Sequence, residues 1–172
     1  MQNTELERAF QRVREGDRGA FDEIYNGLKK PVYTVLLRYV NVAEDAEDLT
    51  QELFLRLFRS PPAKEVDNLR AYIFASARNL ALDKLRKKSA LPENAAEQNA
   101  DDTSVEDAVE RMDIEAALAR LPEAEREAVS LHIYAELTFR EMAAITGTPM
   151  GTLLWRYNRA IGKMRGYLSG KI

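Results

Sequence analysis

An all-α chain, made of two small helical domains joined by a flexible acidic tether, is the fold this sequence predicts. Three observations lead to it. Apolar residues recur at helical period along most of the chain, and nowhere do they alternate as in a strand. Helix start and stop signals punctuate the sequence: Thr or Asp ahead of a helical run, Gly or Pro at the breaks. From Ser89 to about Asp102 the composition turns to Ala, Glu, Asn, Gln and Asp, with almost no apolar side chain larger than alanine. Such a stretch cannot bury a core and reads as a linker.

Composition narrows the function. No apolar run reaches the ~18 residues of a membrane span, and the N-terminal "MQNTELERAF" is polar and amphipathic, unlike a signal peptide. The absence of cysteine excludes disulfides and thiolate metal sites and fits a reducing cytoplasm. The net charge of −3 is an average over unlike parts. Residues 1–88 hold 16 basic and 14 acidic side chains, net +2; residues 89–114 hold one and eight, net −7; residues 115–172 hold eight and six, net +2. Two mildly basic blocks flank a strongly acidic one.

The elements follow in order. "TELE" at Thr4–Glu7 is a capping box for a first helix, and Asp17 after "EG" is the expected N-cap of a second. Pro31 opens or kinks a third, "PVYTVLLRYV". "AEDAEDLTQELFLRLFR" carries its acids in the first turn, where the helix dipole favours them, over a stripe of Leu49, Leu53 and Leu57. Two prolines in "SPPAKEVD" break the chain before "NLRAYIFASARNLALDKLRKK" resumes it. Beyond the linker, helix is expected again near Val105 and after Pro122 in a first-turn position. "TFRE" at Thr138–Glu141 is a second capping box, Gly147 a stop, and Thr148–Pro149 the N-cap and first residue of the last helix.

"TFREMAAITGTPMGTLLWRYNRA" is thus a short helix, a tight turn and a longer helix, the helix-turn-helix pattern whose second helix enters the major groove. At ~100° per residue, Leu153, Tyr157, Ala160, Ile161, Met164 and Leu168 share the arc that faces the domain. Arg156, Arg159 and Lys163 fall on an adjacent arc free of acids, suited to phosphate and base-edge contacts, though basic residues also line ordinary solvated faces. Trp155 lies away from the apolar stripe; the residues alone admit stacking on nucleic acid, packing on a protein partner, or partial cover by neighbouring chain.

The segment from Arg70 to Lys88 has six basic residues and one acid, with Tyr72 and Phe74 interleaved. Cations that track phosphates beside rings that stack on bases suit single-stranded DNA, and the same rings also suit a core. Helix Asp45–Arg59 is the opposite: acidic and polar residues (Glu44, Asp45, Glu47, Asp48, Gln51, Glu52) crowd one end, a face whose carboxylates repel DNA and which fits a protein surface better; the acids could also hold a divalent ion, though a helix start explains them. The single histidine, His132, reads as structural or superficial, and no phosphate loop or metal-spaced ligand set supports an enzyme.

Taken in order, these pieces resemble the extracytoplasmic-function (ECF) class of bacterial RNA polymerase sigma factors, in the sigma-70 family. "DAEDLTQELFLRLFR" is similar to the polymerase-binding region 2.2, and "NLRAYIFASARNLALDKLRKK", with Asn79, Asp83 and Arg86 in an Asn-x-x-x-Asp-x-x-Arg frame, to regions 2.3 and 2.4. "LPEAEREAVSLHIYAELTFREMAAITGTPMGTLLWRYNRA" resembles region 4, and "REGDRGAFDEIYNGLKKPVY" the family's opening. The resemblance implies a non-enzymatic, cytoplasmic factor without cofactor or metal. Its partners would be core RNA polymerase, promoter DNA and, commonly in the family, an anti-sigma factor, with no membrane insertion. It implies polymerase contacts from Asp45, Asp48, Gln51, Glu52, Phe54 and Leu55, and −10 contacts from Tyr72, Arg78, Asn79, Asp83, Arg86 and Lys87. It places part of a flipped-base pocket in the loop Ser60–Leu69, and −35 contacts on Thr152, Trp155, Arg156, Arg159 and Lys163. The implied domains are region 2 over 1–88, a linker over 89–114 and region 4 over 115–172.

Two positions depart from the family's pattern. Tyr72 stands where a tryptophan is usual, and Leu154 and Trp155 replace a cation and a small polar residue in "GTLLWR". A sigma-like helix-turn-helix regulator that works through protein contacts, without supporting initiation, is the alternative reading.

Overall fold

Asn3 anchors the start of the first helix from afar. In a computed structural model, which describes residues 1–90 and 113–170, its side chain donates to the Asp67 carbonyl (3.2 Å) and accepts from the Arg70 N–H (3.2 Å). These long-range bonds draw the start of α1 (Asn3–Arg14) two residues ahead of the Thr4 box. Gln2 is the N-cap, its N–H bonded to the Glu5 carboxylate at 2.6 Å. Met1 is held as well: its carbonyl accepts from the buried Arg70 guanidinium (2.6 Å), and its side chain lies against Gly27.

Asp17 caps α2 (Arg18–Val40) as its sequence context predicts, accepting from the Ala20 N–H at 3.3 Å. Hydrogen bonds from Arg12 hold the Asp17 carboxyl below its ordinary range. Pro31 neither opens nor ends a helix here. It sits inside α2, which runs unbroken from Arg18 to Val40. The proline forfeits one intrahelical bond, but Leu28, Val32, Val35 and Leu36 are all fully buried around it, and each buried aliphatic side chain is worth about 1.5–3 kcal/mol. Burial outweighs the local penalty. Asn41, in the left-handed conformation (φ 55°), ends α2 and turns the chain into α3 (Ala43–Arg59). After the proline-containing loop, Asn68 caps α4 (Leu69–Ser89), accepting from the Ala71 N–H at 2.8 Å. Helices α1, α3 and α4 all pack on α2, around a core that includes Phe10, Ile24, Leu53, Ile73 and Phe74.

Among the described residues, the first element of the second compact unit is α5 (113–119). The helix expected near Val105 and most of the acidic linker lie outside the described residues. Helix α6 (Glu123–Val129) runs on into one π-helical turn, Ser130–Tyr134. Thr138 and Glu141 form the expected capping box of α7 (Phe139–Thr146), with the Thr138 N–H 2.7 Å from the Glu141 carboxylate. Gly147 closes α7 with φ 69°, a conformation that costs a side-chain-bearing residue about 1–2 kcal/mol.

Prolines 122 and 149 stand at the N-caps of α6 and α8 (Met150–Leu168), one place before the first-turn position their sequence suggests. Thr148 does not cap α8; its N–H instead donates to the Thr146 hydroxyl (3.2 Å), which tightens the turn. Leu118, Leu121, Val129 and Ala160 are the centre of the core, with Tyr157, Ile161, Met164 and Tyr167 packed against it. Leu168, expected on this face, is half exposed at the helix end. Tyr167 packs in its place, under the Arg120 guanidinium at 4.0 Å.

Candidate nucleic-acid interface

Helices α7 and α8 and the Gly147 turn make a helix-turn-helix. A stack of rings pins the second helix to the rest of the unit. His132, in the π-helical turn, lies parallel to Phe139 (centroids 4.5 Å) and edge-on to Tyr157 of α8 (4.8 Å), and Phe139 meets Tyr157 at 5.5 Å. His132 Nδ1 is 2.8 Å from the Leu137 carbonyl, which accepts its proton. The single histidine is therefore a structural residue.

On the outer arc of α8, Trp155 is 57% exposed, with the Arg159 guanidinium 5.1 Å from its ring. Thr152 and Arg156 are half-buried beside it. The arc is free of acids in sequence but not in space. Glu125 of α6, its side chain only 8% exposed, bonds Lys163 Nζ with both oxygens (2.9 and 2.8 Å) and lies 3.2 Å from Arg159 Nε. Lys163 is thus committed to the interior of the unit. Arg156 makes no ion pair among the described residues.

In the first unit, Tyr72, Asn79, Asp83, Arg86 and Lys87 recur on one face of α4 at ~100° per residue, with Ser76 in the same stripe. Arg78 falls off it by roughly 100° and is half-buried. At the start of the stripe a cleft of about 250 Å³ opens between α3 and α4, lined by Leu53, Arg56, Ser60, Tyr72, Ser76 and Asn79 among others. Tyr72 is 41% exposed at its wall. Of the loop Ser60–Leu69, Ser60 lines it. The far end of the stripe is only partly neutralised: Asp83 pairs with both Lys87 (3.2 Å) and Arg86 (3.1 Å), one carboxylate between two cations. The hydrogen bond from Lys87 and both positive charges hold the Asp83 carboxyl below its ordinary range.

The acidic helix α3 divides its residues. Asp45 and Phe54 do not face outward as a partner surface requires. Asp45 is buried and bonded to Lys88 and to Lys84 (3.1 Å) of α4. Burial alone would push its carboxyl up, but the two lysines outweigh it and hold it low. Phe54 is buried edge-on against Tyr25, at 4.9 Å. Asp48, Gln51 and Leu55 are exposed, and the half-exposed Glu52 pairs with Arg56. With Phe58, half exposed and edge-on to Phe21 (5.1 Å), they make a mixed acidic and apolar face.

Sequence reasoning missed Glu125, Arg56, Ser76 and Phe58. Helical spacing signals Ser76, four residues after Tyr72, and Phe58, three after Leu55. Nothing local signals Glu125, which lies 34 residues before Arg159 in sequence.

The fold and these faces define a helix-turn-helix nucleic-acid-binding protein with a second, cleft-bearing helical unit. Comparison with known proteins narrows the class. The Sigma-70 region 2 family matches residues 24–90 and the Sigma-70 region 4 family residues 111–164. The ECF RNA polymerase sigma factor SigE of Mycolicibacterium smegmatis is 33% identical over 166 residues, 90% of this chain and 65% of that protein. The ECF sigma factor RpoE of Cereibacter sphaeroides is 33% identical over 162 residues, 89% of this chain and 88% of that protein. Among solved structures, the sigma factor RpoE in complex with the anti-sigma factor NepR, from Bartonella quintana, superposes with a TM-score of 0.68 at 23% identity, over 87% of this chain and 96% of that one. CnrH in complex with the cytosolic domain of CnrY gives 0.69 at 17% identity, over 96% and 98%. The chain belongs to the ECF class of sigma-70 family RNA polymerase sigma factors.

Proposed function

We propose that this chain binds core RNA polymerase, directs it to a set of promoters and helps open the DNA there. It acts in the cytoplasm as a binding protein, with no catalytic residue of its own. Residues 1–88 work as region 2, residues 115–172 as region 4, and 89–114 as the linker between them. The observation that carries this reading is the pair of unlike faces on separate units: an aromatic and amide-lined cleft on α3 and α4, and an arginine and tryptophan face on the second helix of a helix-turn-helix.

In this reading the α4 stripe from Tyr72 through Asn79 to Lys87 meets the −10 element. The cleft takes a base extruded from the stack, whose pairing edge is then open to Asn79, Ser76 and Arg56 while its ring lies on Tyr72. Thr152, Trp155, Arg156 and Arg159 meet the −35 element, with phosphates fixing the register and base edges the sequence. Leu154 and Trp155 stand where an ammonium and a small polar side chain are usual in the family, so this face has an apolar character suited to thymine methyl groups. Asp48, Gln51, Glu52 and Leu55, joined by Phe58, dock on the polymerase. The net −7 segment threads toward the polymerase interior, where it takes the place of nucleic acid; neutralising its eight acids should alter initiation or escape, and unchanged kinetics would remove that role. An anti-sigma factor is included among the partners on the family resemblance.

The test is reconstitution. Core polymerase with the purified protein, given a library of promoter variants, should select a defined −10 and −35 pair and transcribe from one start. Stable binding to polymerase without transcription would favour a regulator that acts through protein contacts, and no binding to polymerase would sink both.

A further inference from the structure

We infer that Glu125 is a positioning residue for −35 readout: it withholds Lys163 from DNA and aims Arg159. The inference rests on the proposed function. A carboxylate as buried as Glu125 needs charged partners, because desolvation penalises it heavily when unpaired. Lys163 supplies the main one, with its ammonium on both oxygens at 2.8 and 2.9 Å and its side chain only a quarter exposed. Arg159 supplies the second through Nε alone, at 3.2 Å. Its two terminal nitrogens make no bond among the described residues, and its guanidinium plane is further held by the Trp155 ring at 5.1 Å. Arginine is suited to this double duty, since a planar fork fixed at one nitrogen presents the others in a set direction.

The consequence is a division of cations that a helical wheel does not reveal. Of Arg156, Arg159 and Lys163, only the two arginines are offered to DNA, one of them pre-aimed. The ordering of Arg159 is completed before DNA arrives, so its recognition costs less conformational freedom. Glu125→Gln keeps the size of the side chain but cannot hold two cations. It should release Lys163 toward the backbone and loosen Arg159, which exchanges sequence readout for unspecific attraction.

The experiment uses the full chain assembled with core polymerase, on the promoter that the wild-type holoenzyme selects and on the same promoter with its −35 element scrambled. The slope of log affinity against log salt is measured for wild type, Glu125→Gln and Lys163→Met. Each phosphate newly neutralised steepens the slope by about 0.9. Glu125→Gln should steepen it by about that amount, and its preference for the intact −35 element should fall roughly tenfold, on the scale of one lost base contact. Lys163→Met should leave the slope where it was. A slope made shallower by about 0.9 in Lys163→Met would place Lys163 on a phosphate and overturn the inference. So would Glu125→Gln that lowers the melting temperature but moves neither slope nor preference, since that is the behaviour of a residue that only holds the fold. Failure of the wild-type holoenzyme to select any promoter would remove the proposed function and this inference with it, whereas a selected promoter with the wrong variant slopes removes this inference alone.

Discussion

Replacement of His132 by alanine is the sharpest test of how the second helix of the helix-turn-helix is held. The side chain makes two ring contacts, to Phe139 and Tyr157 at 4.5 and 4.8 Å, and one hydrogen bond, to the Leu137 carbonyl at 2.8 Å. Aromatic pairs are worth about 0.5–1.5 kcal/mol each, and a hydrogen bond about 1 kcal/mol with a further penalty when its partner is left buried and unsatisfied. Leu137 is buried. Shared partners make these terms less than additive, so the expected loss is about 2 kcal/mol. For a unit of this size each kcal/mol moves the midpoint by about 4–8 °C, which gives a drop of roughly 8–16 °C. The assay is built in, because Trp155 is the only tryptophan of the chain and lies on α8: its fluorescence reports the unfolding of the second unit. His132→Phe, which keeps the rings and loses the hydrogen bond, should fall between the two. A midpoint for His132→Ala within ~2 °C of wild type, a shift worth less than 0.5 kcal/mol on that scale, would refute the idea that this ring stack fixes the recognition helix.

Leu55→Asp should weaken binding to core polymerase by about 10- to 100-fold, the worth of one buried leucine, while the thermal melt stays put because Leu55 is half exposed; equal affinity in a pull-down titration would clear α3 of the role. Tyr72→Ala should lower the yield of open complex by about fivefold or more, the scale of one base stacked on an aromatic ring, with binding to closed promoter DNA largely kept; a fluorescent base analogue in the −10 element reads the difference. Asp45→Asn tests the buried link between α3 and α4. The folded Asp45 carboxyl titrates below its unfolded value, so its contribution is complete above about pH 4 and disappears as pH falls through the lower folded value. Urea melts should therefore show the variant less stable than wild type at neutral pH, with the two converging in acid; parallel curves would mean that the lysines contribute nothing.

Where local chemistry decides, the sequence was readable. Asp17, the Thr138–Glu141 box and Gly147 each follow from one or two sequence neighbours, and each occupies the expected place. The features that failed are those decided at a distance. Pro31 reads as a break until the burial of Leu28, Val32 and Val35 is known. The first helix starts early because Asn3 is tied to Asp67 and Arg70, more than sixty residues on. Both candidate interfaces follow the same rule. A wheel finds the face of α8 and the stripe of α4, since these depend on spacing alone. It cannot find Glu125 beneath Lys163, or Lys84 and Lys88 around Asp45, because each pair joins two helices. Acidic residues at the start of α3 look alike in sequence, and only packing separates the buried Asp45 from the exposed Asp48.

The hold on Met1 has a practical consequence for anyone who handles this protein. Arg70 takes the methionine's carbonyl and Gly27 receives its side chain, so neither contact uses the amino group. An affinity tag or fluorescent fusion appended through a peptide bond at that nitrogen leaves both in place. Trimming the methionine away removes one hydrogen bond from the buried Arg70 guanidinium and opens a notch beside Gly27, so a protease site for tag removal belongs upstream of Met1, with the methionine retained.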